Sequence, residues 1–82
     1  MNIYIGNLSY QVTEDDLKKE FENFGGVKSI KIISDRETGQ SKGFGFIEME
    51  QSEDGQSAIN QLNGKDLKGR NIKVNEAKPK NN

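Results

Sequence analysis

The segment spanning residues 43–50 alternates strictly between two sets of side chains, and this alternation constrains the fold more than any other part of the sequence. A period of two is typical of a β-strand, because successive side chains point to opposite faces of the sheet. One face of the strand receives Phe44, Phe46, Glu48 and Glu50, and the other receives Gly45, Ile47 and Met49. The larger aromatic side chains therefore share a face with charged ones, which inverts the usual separation of apolar from charged residues.

Three further strands are predicted, at residues 3–5, 27–34 and 71–76, because each segment alternates and is rich in β-branched residues. Two amphipathic helices lie between them. Thr13 is the predicted N-cap of the first helix, which has an acidic first turn, a length of about eleven residues and an apolar stripe of Leu17, Phe21 and Phe24. Ser52 is the predicted N-cap of the second helix, whose stripe is Ala58, Ile59 and Leu62.

The resulting order, β-α-β-β-α-β, predicts an α+β fold of the ferredoxin-like kind. Both helices can then cover one face of a four-stranded antiparallel sheet, and the other face is left open. The residues predicted to point into the core are Ile3, Ile5, Ile30, Ile32, Ile47, Met49, Ile72 and Val74. Those predicted on the open face are Tyr4, Lys31, Ile33, Phe44, Phe46, Glu48, Lys73 and Asn75.

The length and composition exclude several classes of protein. A chain of 82 residues has room for one small domain and one core. It contains no Cys and no His, which excludes disulfides, thiolate or imidazole zinc sites and a Ser-His triad. We therefore expect no cofactor and no enzymatic turnover. The apolar stretches are too short for a membrane span or a signal-peptide core, so we expect a cytoplasmic protein.

Tyr4, Phe44 and Phe46, all on the predicted open face, are half of the six aromatic residues of the chain. Burying a Phe contributes roughly 1.5 to 3 kcal/mol, so a small domain loses stability by leaving rings outside its core. Flat rings on a rigid sheet suit stacking on unpaired bases, which contributes about 1 to 3 kcal/mol per base. This pattern favours nucleic-acid binding. The alternative is a protein interface that buries the same rings.

Two segments carry a resemblance to a known family. Residues 42–49 read KGFGFIEM and resemble the eight-residue RNP1 pattern of the RNA recognition motif (RRM), and residues 3–8 read IYIGNL and resemble its six-residue RNP2 pattern. Ile47 and Met49 depart mildly from RNP1, on the inward face. The resemblance covers residues 1–77 and leaves 78–82 as a short polar basic tail. The chain is similar to single-domain bacterial RRM proteins and to the RRM of glycine-rich plant proteins.

The resemblance implies a role for each matching residue. Tyr4 and Phe44 would stack on bases, and Phe46 would pack near a sugar or between two nucleotides. Lys42 would contact a phosphate, as would Lys31 and Lys73, which point outward on the flanking strands. Asn75, together with the backbone of Ala77 and Lys78, would read base edges at the end of the last strand. A solvated surface side chain is the alternative for each lysine and for Asn75. Arg36 and Arg70 lie in predicted loops, where each would contact either the RNA backbone or no part of the RNA.

The predicted function is binding of a few nucleotides of single-stranded RNA by a monomer, with single-stranded DNA as the alternative ligand. The biological roles compatible with this are RNA chaperoning and post-transcriptional regulation. The alternative function is a protein-protein interaction module that uses the RRM sheet or the acidic helix faces.

The charge at first argues against nucleic acid. The chain has 12 basic and 13 acidic residues, a net charge of -1 and a pI near 5.4, whereas nucleic-acid-binding domains often have a pI above about 9. The acids are, however, concentrated in the predicted helices: residues 13–24 hold five acids and two bases, and residues 52–63 hold two acids. The rest of the chain is therefore net positive, and we expect stacking to dominate binding while salt has a shallow effect.

Overall fold

A computed structural model describes residues 1–34, 37–39 and 41–77, apart from the side chains at positions 34, 41 and 42. In this part of the chain the elements follow in the order β1 (Asn2–Gly6), α1 (Glu14–Glu22), β2 (Val27–Ser34), β3 (Ser41–Met49), α2 (Ser52–Leu62), β4 (Asp66–Leu67), β5 (Arg70–Asn71) and β6 (Lys73–Glu76). Neither helix is long and apolar enough to cross a membrane.

The main sheet has four antiparallel strands in the order β2-β3-β1-β6, which confirms the predicted α+β fold. Both helices pack on one face, where the core side chains lie. Six of the eight predicted core residues are fully buried, namely Ile3, Ile5, Ile47, Met49, Ile72 and Val74. Ile30 and Ile32 are only partly buried, because β2 is an edge strand whose pairing with β3 is interrupted by two register shifts.

Thr13 is the N-cap of α1, as predicted, and forms a capping box with Asp16. The Thr13 hydroxyl accepts the N–H of Asp16 at 3.2 Å, and the Asp16 carboxylate accepts the N–H of Thr13 at 2.9 Å. The prediction of Ser52 as N-cap is wrong. Ser52 is the first residue of α2, and the N-cap is Gln51, which makes no side-chain capping bond.

A two-stranded hairpin, β4–β5, was not predicted from the sequence. Its two-residue turn consists of Lys68 and Gly69, both at positive φ (53° and 92°), as a type I′ turn requires. The Gly69 N–H also donates to Asp66 Oδ1 at 3.0 Å. Asn71 pairs with Asp66 in this hairpin, and the last strand of the main sheet therefore begins at Lys73 rather than at residue 71.

Two ion pairs attach this hairpin region to α1. Lys68 Nζ lies 2.8 Å from Asp16 Oδ2, and Lys65 pairs with Glu20. The Lys68 ammonium also donates to the carbonyl oxygen of Gln11, at 3.2 Å, in the loop between β1 and α1. The segment between α2 and β6 is thus attached both to a helix and to a loop that borders the open face of the sheet.

Candidate nucleic-acid interface

Four residues predicted to contact RNA form one row across the open face of the main sheet. Phe46 on β3 is paired with Lys31 on β2 and with Tyr4 on β1. Tyr4 is in turn paired with Asn75 on β6. Adjacent strands are roughly 4.8 Å apart. The row therefore presents a cation, two rings and an amide in sequence across all four strands.

Phe44 lies two residues before Phe46 on the same face of β3 and completes an aromatic cluster of Tyr4, Phe44 and Phe46. The ring centroids of Tyr4 and Phe46 are 5.8 Å apart, and Phe44 lies 6.3 Å from each of them. Phe46 is 42% exposed, whereas the other two are half-buried. All three rings thus lie on the open face, as predicted, but two of them are partly shielded, since neighbouring rings cover each other's edges.

Two glycines allow this arrangement through close approach. A Cβ at Gly6 would lie 2.6 Å from the Tyr4 hydroxyl oxygen and 3.0 Å from ring atoms, so the Tyr4 ring lies directly over Gly6. A Cβ at Gly45 would lie 2.5 Å from the carbonyl oxygen of Lys31. Gly45 therefore lets β2 approach β3 at the level of the aromatic cluster.

Lys31 and Lys73 are exposed on this face, and neither forms an ion pair within the described part of the chain. Lys73 is paired with Gly6, next to the Tyr4 ring. Lys28, by contrast, lies 3.7 Å from Glu48, an acidic residue of the open face. The two unpaired ammonium groups are the cations of the described sheet face that are free to meet a phosphate.

Three of the basic residues considered above fall outside what is described. They are the side chain of Lys42 and the whole of Arg36 and Lys78. Asn75 is exposed at one end of the row, as predicted. The N–H of Ala77 donates to the carbonyl oxygen of Asn2 at 2.8 Å, so this donor is engaged within the sheet and is not free to read a base edge.

An open pocket of about 270 Å³ borders the aromatic cluster and is lined in part by Tyr10 and Arg70. Tyr10 is 67% exposed. The sequence patterns did not select it, because it lies in a loop without periodicity. The signal that would have found it is the presence of a large ring between two polar residues, Ser9 and Gln11, next to an RNP2-like segment.

The described residues include no group of three or more acidic side chains placed to hold a metal ion. The acidic side chains of the first turns, Glu14, Asp15 and Asp16 in α1 and Glu53 and Asp54 in α2, lie at helix N-termini, where they complement the helix dipole. The helices therefore carry negative charge on the face opposite the aromatic cluster.

Comparison with known proteins is consistent with this geometry. The RNA recognition motif family matches residues 3–73. The protein RbpE of Nostoc sp. is 51% identical over 80 residues, which cover 98% of this chain and 81% of RbpE. The crystal structure of RNA Binding Protein PG1 is 46% identical with a TM-score of 0.93, covering 100% of this chain and 99% of that one.

A solved structure of the Rna15 RRM with bound RNA (GU) is 35% identical with a TM-score of 0.85, covering 95% of this chain and 83% of that one. The family match spans most of the chain and includes both strands that carry the aromatic cluster. The chain therefore belongs to the RNA recognition motif family of RNA-binding, non-enzymatic proteins.

Proposed function

We propose that this protein binds single-stranded RNA on the open face of its main sheet, holding about two to four nucleotides through stacking and phosphate contacts. The observation that carries the proposal is the aromatic cluster. Three rings lie within 6.3 Å of one another on the face opposite the helices, where burial in the core does not account for them. Unpaired bases offer flat apolar surfaces that fit such rings.

The residues divide into two roles under this proposal. Tyr4 and Phe44, whose planes are inclined by only 30°, each receive a base, and Phe46 stands nearly perpendicular to Phe44, at 87°, and packs against a sugar. Asn75, in the same row as Tyr4, offers a side-chain amide to a base edge. This division is supported by ring geometry and by pairing across β1, β3 and β6.

Lys31 and Lys73 neutralise phosphates at the two edges of the sheet, and Lys42 and Lys78 are proposed to add to them. Lys31 lies on the edge strand β2 and Lys73 on the edge strand β6, so that a strand of RNA crossing the sheet meets a cation on either side of the rings. Glu48 lies on β3 and Glu50 follows it directly, and both reduce the positive potential of this face. We therefore expect modest affinity that depends mainly on stacking.

A domain that binds a few nucleotides through stacking has little sequence specificity, because every base has a flat face. This supports a role as an RNA chaperone or post-transcriptional regulator that acts on many transcripts. We propose that the protein acts as a monomer and in the cytoplasm. A molecular-beacon RNA hairpin tests the chaperone role: the wild type should speed its opening, and a protein that binds RNA without this effect would be a regulator of another kind.

Fluorescence anisotropy with a mixed-sequence single-stranded RNA pool tests the binding proposal. We expect the wild type to bind at low salt and the Phe44→Ala, Phe46→Ala double variant to lose most of its affinity, by roughly 5- to 150-fold for each stacked base. The Lys18→Ala, Lys19→Ala variant is the control, since both lysines are exposed on α1, on the opposite side of the sheet. Absence of wild-type binding at low salt would overturn the proposal.

The protein-interaction alternative predicts a different result in the same samples. If the aromatic cluster served to bury a second copy of the chain, light scattering would report a stable dimer that the Phe44→Ala, Phe46→Ala variant abolishes. A wild-type monomer that binds RNA would exclude that function for this face. A monomer that binds no RNA would direct the search to protein partners.

A further inference from the structure

The loop between β1 and α1 presents Tyr10 at the tip of a fixed turn. Leu8 and Val12, on either side of this turn, are both buried in the core. The Val12 N–H donates to the Ser9 carbonyl oxygen at 3.0 Å, and the Leu8 N–H donates to the Gly43 carbonyl oxygen at 2.9 Å. The loop is thus anchored in the core and to the start of β3, while Tyr10 itself remains 67% exposed.

The hairpin β4–β5 holds the same loop from the other side. Arg70 Nη2 donates to Asn7 Oδ1 at 2.6 Å, and Asn7 Nδ2 donates to the Asn71 carbonyl oxygen at 2.8 Å. The Lys68 ammonium donates to the carbonyl oxygen of Gln11, the residue after Tyr10. Three hydrogen bonds therefore connect hairpin and loop, and they bring Tyr10 and Arg70 to the same pocket.

The pocket of about 270 Å³ lies between these two residues and the aromatic cluster. Tyr4 and Phe44 form its inner wall, so it is continuous with the surface that the proposed function assigns to stacked bases. Its volume is slightly below the range of small-molecule pockets, roughly 300 to 1,000 Å³. A pocket of this size suits a single nucleotide, with the rest of a strand lying outside it.

The side chains of the outer wall have the chemistry of a nucleotide site. Tyr10 makes no hydrogen bond or ring contact within the described residues, so one face of its ring is available for stacking. The Arg70 guanidinium has five N–H donors, of which Asn7 takes one, and it forms no ion pair in the described part of the chain. The remaining donors suit the paired oxygens of a phosphate.

We infer that this pocket holds one further nucleotide of the same RNA strand, beyond those on the aromatic cluster, with its base against Tyr10 and its phosphate at Arg70. The inference rests on the proposed function, because the pocket adjoins the aromatic cluster and is too small to recognise RNA alone. It extends the length dependence of binding beyond the nucleotides that the cluster holds.

The experiment compares anisotropy titrations with three- and six-nucleotide RNA pools. Tyr10→Ala should weaken binding of the six-nucleotide pool by roughly 5- to 150-fold, as expected for one stacked base, and should leave the three-nucleotide pool unchanged. Tyr10→Phe, which keeps the ring, should bind both pools like the wild type. Arg70→Ala should weaken the longer pool, and Arg70→Lys should restore only part of the loss, because a lysine keeps the charge and loses the planar fork.

Other outcomes overturn the inference or the function beneath it. In one such outcome, Tyr10→Ala binds both RNA pools as tightly as the wild type, whereas the Phe44→Ala, Phe46→Ala variant loses binding. This result would overturn the extra site and leave the proposed function intact. An equal loss of both pools would make Tyr10 part of the main site and would also overturn a separate one. Tight binding of free uridine monophosphate at the Tyr10 pocket would assign it to a small nucleotide instead. A wild type that binds neither pool would overturn the proposed function itself. Thermal unfolding of each variant verifies that the domain remains folded.

Discussion

Tyr4 and Phe46 face each other directly across β1 and β3, with ring centroids 5.8 Å apart and ring planes inclined by 62°. Edge-to-face packing of this kind contributes about 0.5 to 1.5 kcal/mol beyond the burial of area. Each ring therefore fixes the orientation of its neighbour, although both lie on the open face. This mutual support allows a surface that is not covered by either helix to present rings in a defined geometry.

The position of the Tyr4 ring depends on Gly6, and a methyl group there should impair binding more than folding. In Gly6→Ala the new Cβ would lie 2.6 Å from the Tyr4 hydroxyl oxygen and 3.0 Å from ring atoms, so the ring must swing away. A side chain can move without disturbing the strand. We expect RNA affinity to fall by roughly 5-fold or more, the effect of one weakened stacking contact, with little change in the unfolding temperature.

A double-mutant cycle isolates this effect. Gly6→Ala introduced into a Tyr4→Ala background should not weaken RNA binding further, because no ring remains to be displaced. If the glycine substitution weakened binding equally in both backgrounds, its effect would pass through the β1 backbone and not through Tyr4.

Lys31 and Lys73 should determine a large part of the salt dependence. For single-stranded nucleic acid the logarithm of the affinity falls with the logarithm of salt concentration with a slope of about -0.7 per phosphate neutralised. Three or four phosphates predict a wild-type slope of roughly -2 to -3. We expect Lys31→Ala, Lys73→Ala to reduce this slope by about 1.4 in magnitude, measured by anisotropy at several salt concentrations.

The matched control is Lys18→Ala, Lys19→Ala, which removes the same charge from α1. It should leave the slope unchanged, because those side chains lie on the other side of the sheet. An equal reduction in the control would mean that the overall charge, and not contact at the sheet face, sets the salt dependence. A wild-type slope steeper than about -5 would contradict the dominance of stacking.

The faces of the strands could be predicted from the sequence because side chains alternate with a period of two, whatever the strand order. The row of Lys31, Phe46, Tyr4 and Asn75 could not. It depends on the register of three strand pairs that are distant in sequence, and a shift of two residues would keep every face while placing other residues side by side.

The remaining failures of prediction occur where local signals are weak. Arg70 lies in a predicted loop, but Lys68 takes a positive φ that lysine rarely adopts, so the paired strands β4 and β5 on either side of the turn were not predicted. Gln51 precedes Ser52, whose hydroxyl indicates a cap, yet α2 includes the serine in its first turn. Tyr10 lies in an aperiodic loop, and its position beside Arg70 arises from contacts between segments some 60 residues apart.

Gly45→Ala should destabilise the fold, in contrast to Gly6→Ala. A Cβ at this position would lie 2.5 Å from the carbonyl oxygen of Lys31 and 3.1 Å from the Cα of Ile32, both backbone atoms of β2. Backbone cannot move aside as the end of a side chain does, so β2 and β3 would separate. We expect Gly45→Ala to lower the free energy of unfolding by about 1 to 3 kcal/mol, the usual range for overpacking, as measured by urea denaturation.

The control for this prediction is Gly6→Ala, which adds the same methyl group to the neighbouring central strand. It should shift the urea midpoint much less than Gly45→Ala does. Equal destabilisation would show that loss of glycine in the sheet, and not the approach of β2, determines the cost.

Asp16 should make stability depend on pH in the acid range. The Lys68 ammonium, which donates to its carboxylate, and the backbone N–H of Thr13 lower the pKa of Asp16 from 3.8 to about 2. A carboxyl whose pKa is lower in the folded chain than in the unfolded one stabilises the fold above the unfolded value. That contribution is complete above about pH 5, and it declines as the pH falls through 4 towards 2.

The Asp16→Asn variant tests this assignment, because the amide keeps the shape of the carboxylate and cannot ionise. We expect the variant to unfold at a lower temperature than the wild type at pH 7, since it loses the ion pair to Lys68 and weakens the capping bond to Thr13. The difference should shrink steadily between about pH 4 and pH 2, where the wild-type carboxylate becomes protonated. Asp15→Asn is the control, because it removes the same charge from an exposed neighbour in the same helical turn. A difference in unfolding temperature between Asp16→Asn and the wild type that persists unchanged at pH 2 would contradict the role of the charge.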